Sequence, residues 1–300
     1  PRAGEVVVDV RAIGCNFPDI LIVQGKYQKK PPLPFSPGCE VAGVVRAVGD
    51  DVRGVTVGQR VFAMMGWGAY AERVAVEATA VYPLPAALSF EEGAAFGLVY
   101  QTSYCALVHR TTLRRGETLL VHAAAGGVGL AAVQIGRALG ARVIATAGSA
   151  DKLEVARAAG AEVLIDYRRE DWVERVKKET GGAGADVVYD PVGGDTFDGS
   201  TKCVAFEGRI LVVGFAGGRI AEVATNRILL KNISVVGVHW GLYSERDPAL
   251  VRRWMSELLA MVETGALRPV IFKTFPLARA ADALAAIGSR ESYGKVVLVP

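Results

Sequence analysis

The stretch that most constrains this chain is the glycine turn Val121-His122-Ala123-Ala124-Ala125-Gly126-Gly127-Val128-Gly129. The apolar run Leu119-Leu120-Val121 before it reads as a buried strand. Leu130 to Gly140 after it reads as a helix closed by a glycine. Strand, glycine turn and helix form the unit that receives the pyrophosphate of a dinucleotide. Backbone N–H groups at the helix start face the phosphates, the helix dipole favours their charge, and glycines let the ligand come close. The spacing departs from G-x-G-x-x-G at its first position, where Ala124 stands, followed by Gly126 and Gly129. A glycine turn alone fits many tight turns; the strand before it and the helix after it carry the reading. Ala125, Gly126, Gly127, Val128 and Gly129 are therefore candidate cofactor contacts.

A chain of 300 residues has room for one large or two ordinary domains, and a hydrophobic share of 51% supplies their cores. No apolar run reaches the roughly 18 residues of a membrane span, and none near the start has the form of a signal peptide. A cytoplasmic protein with no membrane partner is expected. The formal charge of +3 is small, and no dense basic stretch interleaved with aromatics argues for nucleic acid. Cys15, Cys39, Cys105 and Cys203 form no C-x-x-C pair, so four reduced thiols are expected, with neither a zinc knuckle nor a redox pair. Pro1 to Glu5 reads as a turn inside a domain, and an opening strand is expected before it.

Residues 1–98 are rich in short strands and turns. Glu5 to Ile13, Cys39 to Gly49, Val55 to Ala63 and Tyr70 to Val76 have the β-branched content of strands, and prolines at 31, 32, 34 and 37 interrupt them. A barrel or sandwich follows. The pattern changes at Ser89-Phe90-Glu91-Glu92, a capping box. It leads to a second helix carrying Thr102, Cys105 and Val108. Beyond the glycine turn, strands at Arg142–Ala147, Val163–Asp166, Asp186–Asp190, Arg209–Val213 and Ile233–Val238 alternate with helices. With the strand at 119–121 this makes a six-stranded, doubly wound α/β dinucleotide fold over 99–240. A helix from Pro248 and strands at Phe272–Phe275 and Lys295–Val299 follow, and residues 241–300 are expected to return to the first domain.

An acidic residue about 20 positions past the glycine turn grips the ribose 2′-hydroxyl of NAD in this fold. Here the second strand ends Ala147-Gly148-Ser149-Ala150, with no carboxylate at its tip. Gly148 leaves room for a phosphate, Ser149 and Lys152 offer donors, and Arg168 and Arg169 add more; Asp151 stands where a helix N-cap would. NADPH is favoured over NADH. The plain alternative for Lys152, Arg168 and Arg169 is solvated surface charge.

At this point the chain resembles the zinc-free medium-chain dehydrogenases/reductases, in the quinone oxidoreductase (zeta-crystallin-like) branch. The resemblance spans nearly the whole chain. It rests on Asn16-Phe17-Pro18-Asp19, Gln24-Gly25-Lys26-Tyr27, Pro37 to Gly43, Gly58-Gln59-Arg60-Val61, His122 to Gly129 and Gly294 to Leu298, in that order. It implies a GroES-like β-barrel catalytic domain, an α/β Rossmann domain, a cleft between them, and a homodimer joined through the last Rossmann strand, Ser234 to Val238. Zinc-dependent relatives carry cysteine at the Asn16 position and histidine at the Cys39 position, so no catalytic metal is implied. The resemblance puts Asn16 near the nicotinamide, Thr102 at the head of the Rossmann domain, and Lys152 and Tyr167 on the 2′-phosphate. It puts Gly214 and Phe215 along the nicotinamide half, and has Lys295 reach the cofactor from the last strand. A buried asparagine that only holds a turn remains the alternative for Asn16.

Hydride transfer needs alignment and a dry site more than side-chain chemistry. NADPH-dependent reduction of a small quinone or related α,β-unsaturated carbonyl is the first expectation; a quinone takes its proton from water, so no general acid is required, and Asn16 is the candidate catalytic residue. The second rests on the stretch Asn16 to Tyr27, which is also similar to the 2-enoyl-thioester reductases of the same superfamily; that resemblance implies Tyr27 as the catalytic residue that gives a proton to the substrate α-carbon, with simple packing as its alternative. The third is an NADPH-binding protein with little turnover. Trp67, Tyr70, Trp240 and Tyr243 are candidate pocket aromatics, with packing as their alternative.

Overall fold

The computed structural model describes residues 1–300. It contains thirteen strands, numbered here along the chain, and two compact units: Pro1–Val99 with Arg268–Pro300, and Tyr100–Leu267.

The first unit holds β1 (Glu5–Cys15), β2 (Glu40–Val48), β3 (Arg60–Met64), β4 (Arg73–Glu77), β5 (Val81–Pro83), β12 (Ile271–Pro276) and β13 (Lys295–Val299). Its sheet runs β12-β13-β1-β2-β3-β5, with β4 also on β1. β1 serves three neighbours. Its first half, Glu5 to Asp9, pairs with β4, its end, Ile13 to Cys15, pairs with β13, and β2 runs beside both halves. Register shifts between Val7 and Val8 and between Val10 and Ala12 re-aim β1 between these partners. Alternating residues Val6, Val8, Val10, Val74, Val76, Val61 and Leu298 fill the core. Two predicted strands are shorter than expected. Val55 to Gln59 forms turns, with Gly58 at φ +85°, and β4 begins only at Arg73.

The second unit carries β6 (Thr118–Val121), β7 (Arg142–Ala147), β8 (Val163–Asp166), β9 (Ala185–Asp190), β10 (Val204–Val212) and β11 (Ser234–Gly237). All six are parallel, in the order β11-β10-β9-β6-β7-β8. The chain builds outward from β6 through β8, then returns to the other side of β6 at β9. That reversal is the switch point where ligands bind at the carboxyl ends of strands. The sheet is buried by runs such as Leu119, Leu120 and Val121, which are fully enclosed. The helix after β6 starts at Gly127, three residues before the predicted start, and runs to Ala138. At Gly136 a Cβ would sit 2.5 Å from Leu119 Cδ2, so this glycine sets how closely helix and strand pack.

The return to the first unit comes later than position 241. The helix Pro248–Glu263, capped by the Asp247 carboxylate on the Leu250 N–H at 3.0 Å, buries Val251, Trp254, Met255, Leu258 and Val262 within the second unit. Trp254 packs on His109 (ring centroids 4.9 Å apart) and Tyr243 (5.2 Å), and Glu257 accepts a hydrogen bond from Tyr104. An apolar stripe at helical spacing shows that a helix has a buried face, not which core receives it. The chain re-enters the first unit at Arg268, whose guanidinium pairs with Glu92 at 2.6 Å.

Candidate active site

In the second unit, the glycine turn leaves the carboxyl end of β6 and is pinned to both neighbouring strands. His122 N–H donates to Tyr189 O of β9 at 3.0 Å, and Ala124 N–H donates to Thr146 O of β7 at 3.0 Å. Ala123 takes φ +46°, and Gly126 N–H closes the turn on Ala123 O at 2.8 Å. Gly126 is the N-cap of the following helix and no side chain caps it. The first N–H groups of that helix are those that lack an intrahelical acceptor, at the positive end of its dipole. Gly126, Gly127 and Val128 are part-exposed, while Ala125 and Gly129 are buried. Thr102 lies in the helix Gly97–Tyr104, next to Ser103, whose hydroxyl donates to Val128 O at 2.9 Å.

His122 belongs to the frame of this turn. Its ring nitrogens bond Thr146 Oγ1 and Ser200 Oγ, each at 3.0 Å, and its ring meets Trp172 edge-on. Burial lowers its pKa from 6.5 to about 3. The unfolded chain therefore binds a proton that the folded chain refuses, so His122 lowers stability as pH falls from about 6.5 towards about 3. Thermal unfolding followed across that range is expected to show a shallower acid limb in His122→Asn than in the parent.

At the ends of β7 and β8 lies a second constellation. Ser149 caps the helix Ala150–Ala159, and its hydroxyl accepts from the Lys152 N–H at 3.5 Å, which leaves the Lys152 side chain in the first turn. A Cβ on Gly148 would lie 2.6 Å from Tyr167 Oη and 3.0 Å from Arg168 Nε, so phenol and guanidinium converge on that glycine. Tyr167 is 49% exposed. The one carboxylate at the end of β8, Asp166, is already engaged by Arg168 N–H (3.0 Å) and Arg169 (3.4 Å). Past β10, Gly214 and the exposed Phe215 fold towards the loop after β9: a Cβ on Gly193 would lie 3.1 Å from Phe215 Cδ1. There Asp190 Oδ1 accepts from the N–H groups of Val192 (2.8 Å) and Gly193 (2.9 Å). All these residues stand at the carboxyl edge of one sheet.

The first unit holds a buried polar cluster at the ends of β1, β2 and β13. Asn16, 4% exposed, is the N-cap of the helix Phe17–Val23, and its N–H donates to Asp19 Oδ2 at 2.8 Å. Its side-chain amide donates to Glu40 Oε1 at 2.8 Å, while its Oδ1 accepts from Lys295. Lys295 Nζ also donates to Glu40 Oε1 (2.7 Å) and Cys15 O (3.0 Å). Glu40 Oε2 accepts from the Leu98 N–H at 2.9 Å. Beside this cluster Tyr70 Oη donates to Asp19 Oδ2 at 3.2 Å, and burial raises the Asp19 carboxyl to about 6. Burial also pushes the Cys15 thiol up to about 12 and holds the Cys39 thiol well above its ordinary value. Tyr27, half-buried past the same helix, has its phenol pKa raised by burial first and then by Cys39 and Asp19.

Two readings change. The resemblance sends Lys295 to the cofactor, but its three N–H bonds are committed to Cys15, Asn16 and Glu40. Two of the candidate pocket aromatics are otherwise engaged: Tyr70 is tied to Asp19, and Tyr243 packs edge-on to His109 and Trp254. Glu40 and Asp19 join the site only in the structure, whereas Arg168 is among the donors that the sequence places near the phosphate. A signal for Glu40 and Lys295 exists in the sequence: each is a lone charge, of opposite sign, opening an apolar strand run.

Residues 2–86 match the family model described as alcohol dehydrogenase GroES-like domain, and residues 127–257 match the one described as zinc-binding dehydrogenase. The quinone oxidoreductase-like protein 2 homolog of Nematostella vectensis is 42% identical over 297 residues, covering 98% of this chain and 81% of that one. The chain belongs to the quinone oxidoreductase family of the medium-chain dehydrogenases/reductases. Its first unit is the GroES-like domain of this family and its second the Rossmann domain. Among solved structures, Escherichia coli quinone oxidoreductase complexed with NADPH matches at a TM-score of 0.92 and 36% identity, over 100% of this chain and 93% of that one. The CurK enoyl reductase matches at a TM-score of 0.90 and 29% identity, over 100% and 92%. No helix is long and apolar enough to cross a membrane.

Proposed function

We propose that this quinone oxidoreductase family member is an NADPH-dependent reductase that delivers hydride to a small quinone or related α,β-unsaturated carbonyl, without zinc. The observation that carries the cofactor choice is Gly148, on which Tyr167 and Arg168 converge beside Ser149 and Lys152, with no carboxylate at the tip of β7. A ribose 2′-phosphate carries charge and acceptor oxygens that such donors suit. The NADPH in the E. coli relative supports the same choice. The pyrophosphate is received at the helix start on the backbone N–H groups that follow Gly126, with Ala125, Gly126, Gly127, Val128 and Gly129 forming the turn around it; Thr102 lies at the head of this domain, and Gly214 and Phe215 flank the nicotinamide half. The bound cofactor supplies the hydride; the chain's own residues hold acceptor and cofactor in register and exclude water.

The donor set near Asn16 does not suit a divalent metal. The Glu40 carboxylate already has the Lys295 ammonium on it at 2.7 Å, Asn16 offers an amide, and burial keeps the Cys39 thiol protonated. We further place the protein in the cytoplasm, where its four unpaired cysteines stay reduced. As assembly we propose a homodimer through β11. That strand pairs on one side only, with β10, and leaves Val235 exposed, while Leu229 and Leu230 on the preceding helix are each 73% exposed.

NADPH oxidation against ortho- and para-quinones, an alkenal and a crotonyl thioester, repeated with NADH, tests this reading. Quinone turnover with NADPH preferred supports it; tight NADPH binding with no turnover on any acceptor supports a binding protein instead. The enoyl-thioester reading rests on Tyr27, whose surroundings keep its phenol protonated, and on the likeness to an enoyl reductase. Under that reading Tyr27→Phe loses about 100-fold or more of thioester reduction, the range of positioned acid catalysis, and spares quinones. Equal thioester activity in mutant and parent removes Tyr27 as a proton donor.

A further inference from the structure

We propose that Lys295 and Glu40 are positioning residues that fix the direction of the Asn16 side-chain amide, so that Asn16 offers an N–H bond to the reacting ligand. The proposal rests on the proposed reductase function and on the expectation, implied by the family resemblance, that Asn16 lies near the nicotinamide. It replaces a direct role of Lys295 on the cofactor.

An amide side chain has one acceptor oxygen and one NH2 group, and turning it over exchanges them at nearly the same shape. Turning Asn16 over would set its NH2 against the Lys295 ammonium and its oxygen against the Glu40 carboxylate. Both charge-assisted bonds would become like-facing-like contacts, in a cluster where Asn16, Glu40 and Lys295 are 4%, 1% and 4% exposed. The orientation is thus set by two opposite charges on different strands. β1 brings them together: Gly14 faces Glu40 across β2, and Cys15 faces Val296 across β13. The backbone at Asn16 is held separately, by its N–H on Asp19.

The cluster is closed except at one bond. Lys295 has all three N–H bonds in use, Glu40 Oε1 accepts from Asn16 and Lys295, and Glu40 Oε2 accepts from Leu98. Asn16 gives one amide N–H to Glu40. The nearest acceptors for the other are Gly14 O at 3.4 Å and Cys39 Sγ at 3.7 Å, both long. That N–H is the loosely held hydrogen of the network. It suits an oxygen that gains negative charge as hydride arrives, as the carbonyl oxygen of a quinone or enone does.

The test is a mutant cycle on the full-length protein, with NADPH affinity, kcat and the acceptor KM read separately. Replacing the pair together (Lys295→Met with Glu40→Leu) removes both charges and strands neither. The expected result is a folded protein with near-parental NADPH affinity and kcat lowered about 10- to 100-fold, the scale of a misdirected oxyanion donor. Asn16→Ala should lower kcat similarly in the parent and add little in the double variant, because the interaction is shared. Glu40→Gln, close in shape, removes one of the two determinants and should give a smaller kcat loss, so it decides the question even if the double variant does not fold. If Asn16→Ala lowers kcat but the double variant and Glu40→Gln keep parental kcat, the positioning role is overturned. If Asn16→Ala is itself without effect, the placement of Asn16 at the site fails instead.

Discussion

Gly148→Asp is expected to weaken NADPH binding by about 100-fold or more while leaving NADH binding equal or tighter. Two effects add. Any Cβ at this position falls 2.6 Å from Tyr167 Oη and 3.0 Å from Arg168 Nε, so both side chains must withdraw. A carboxylate there also repels a 2′-phosphate and accepts from a 2′-hydroxyl, as the acidic residue of NAD-binding relatives of this fold does. A hydrogen bond to a charged group contributes about 1.5–3 kcal/mol, and 1.4 kcal/mol is about tenfold in Kd. Losing two such bonds gives the stated range. Titration of bound-nucleotide fluorescence with both cofactors checks it. If the two affinities fall in parallel, the Gly148–Tyr167–Arg168 cluster does not hold the phosphate.

The second large effect separates folding from binding within one turn. At Gly129 a Cβ would lie 2.3 Å from Ala123 O and 2.8 Å from Ala124 Cα, both backbone atoms that cannot swing aside. Gly129→Ala should therefore destabilise the second unit by about 1–3 kcal/mol or more, the range of overpacked sites. That corresponds to a drop in Tm of several degrees or more, and the turn that meets the pyrophosphate should be distorted with it. At Gly126 a Cβ has only Ala123 O nearby, at 3.3 Å. Gly126→Ala should keep its Tm and lose NADPH affinity, because the methyl group stands where phosphate approaches the helix N–H groups. Calorimetry with and without NADPH reads both quantities. Equal NADPH stabilisation of the parent and Gly126→Ala would mean that the pyrophosphate lies elsewhere.

These two glycines also mark how far the sequence is legible. The six parallel strands could be read because each carries a short apolar run, fully buried at the centre of the sheet as in Leu119 to Val121, set off by turns and helical repeats. The absent carboxylate after β7 could be read because its place in the fold is fixed by the strand end. What could not be read depends on register between distant strands. Glu40 and Lys295 are 255 positions apart and meet only because β1 pairs with β2 on one side and with β13 on the other. A charge at the head of an apolar strand signals that a partner exists without naming it. The helix Pro248–Glu263 failed for the same reason: its buried face is plain in the spacing, but the partners of Trp254 and Glu257 come from the segment 104–109 and from Tyr243.

Under the proposed function, this chain alone, loaded with NADPH, passes hydride to a quinone-type acceptor without metal, and a single-turnover experiment checks this. NADPH-bound protein, dialysed against a chelator, is mixed with quinone, and the absorbance of the reduced nicotinamide is followed with ordinary NADPH and with NADPH deuterated at the transferring position. The expected result is a quinone-dependent loss of that absorbance, unchanged by the chelator and slowed by deuterium. No quinone-dependent loss, or a loss abolished by the chelator and restored by zinc, rules out direct metal-free transfer.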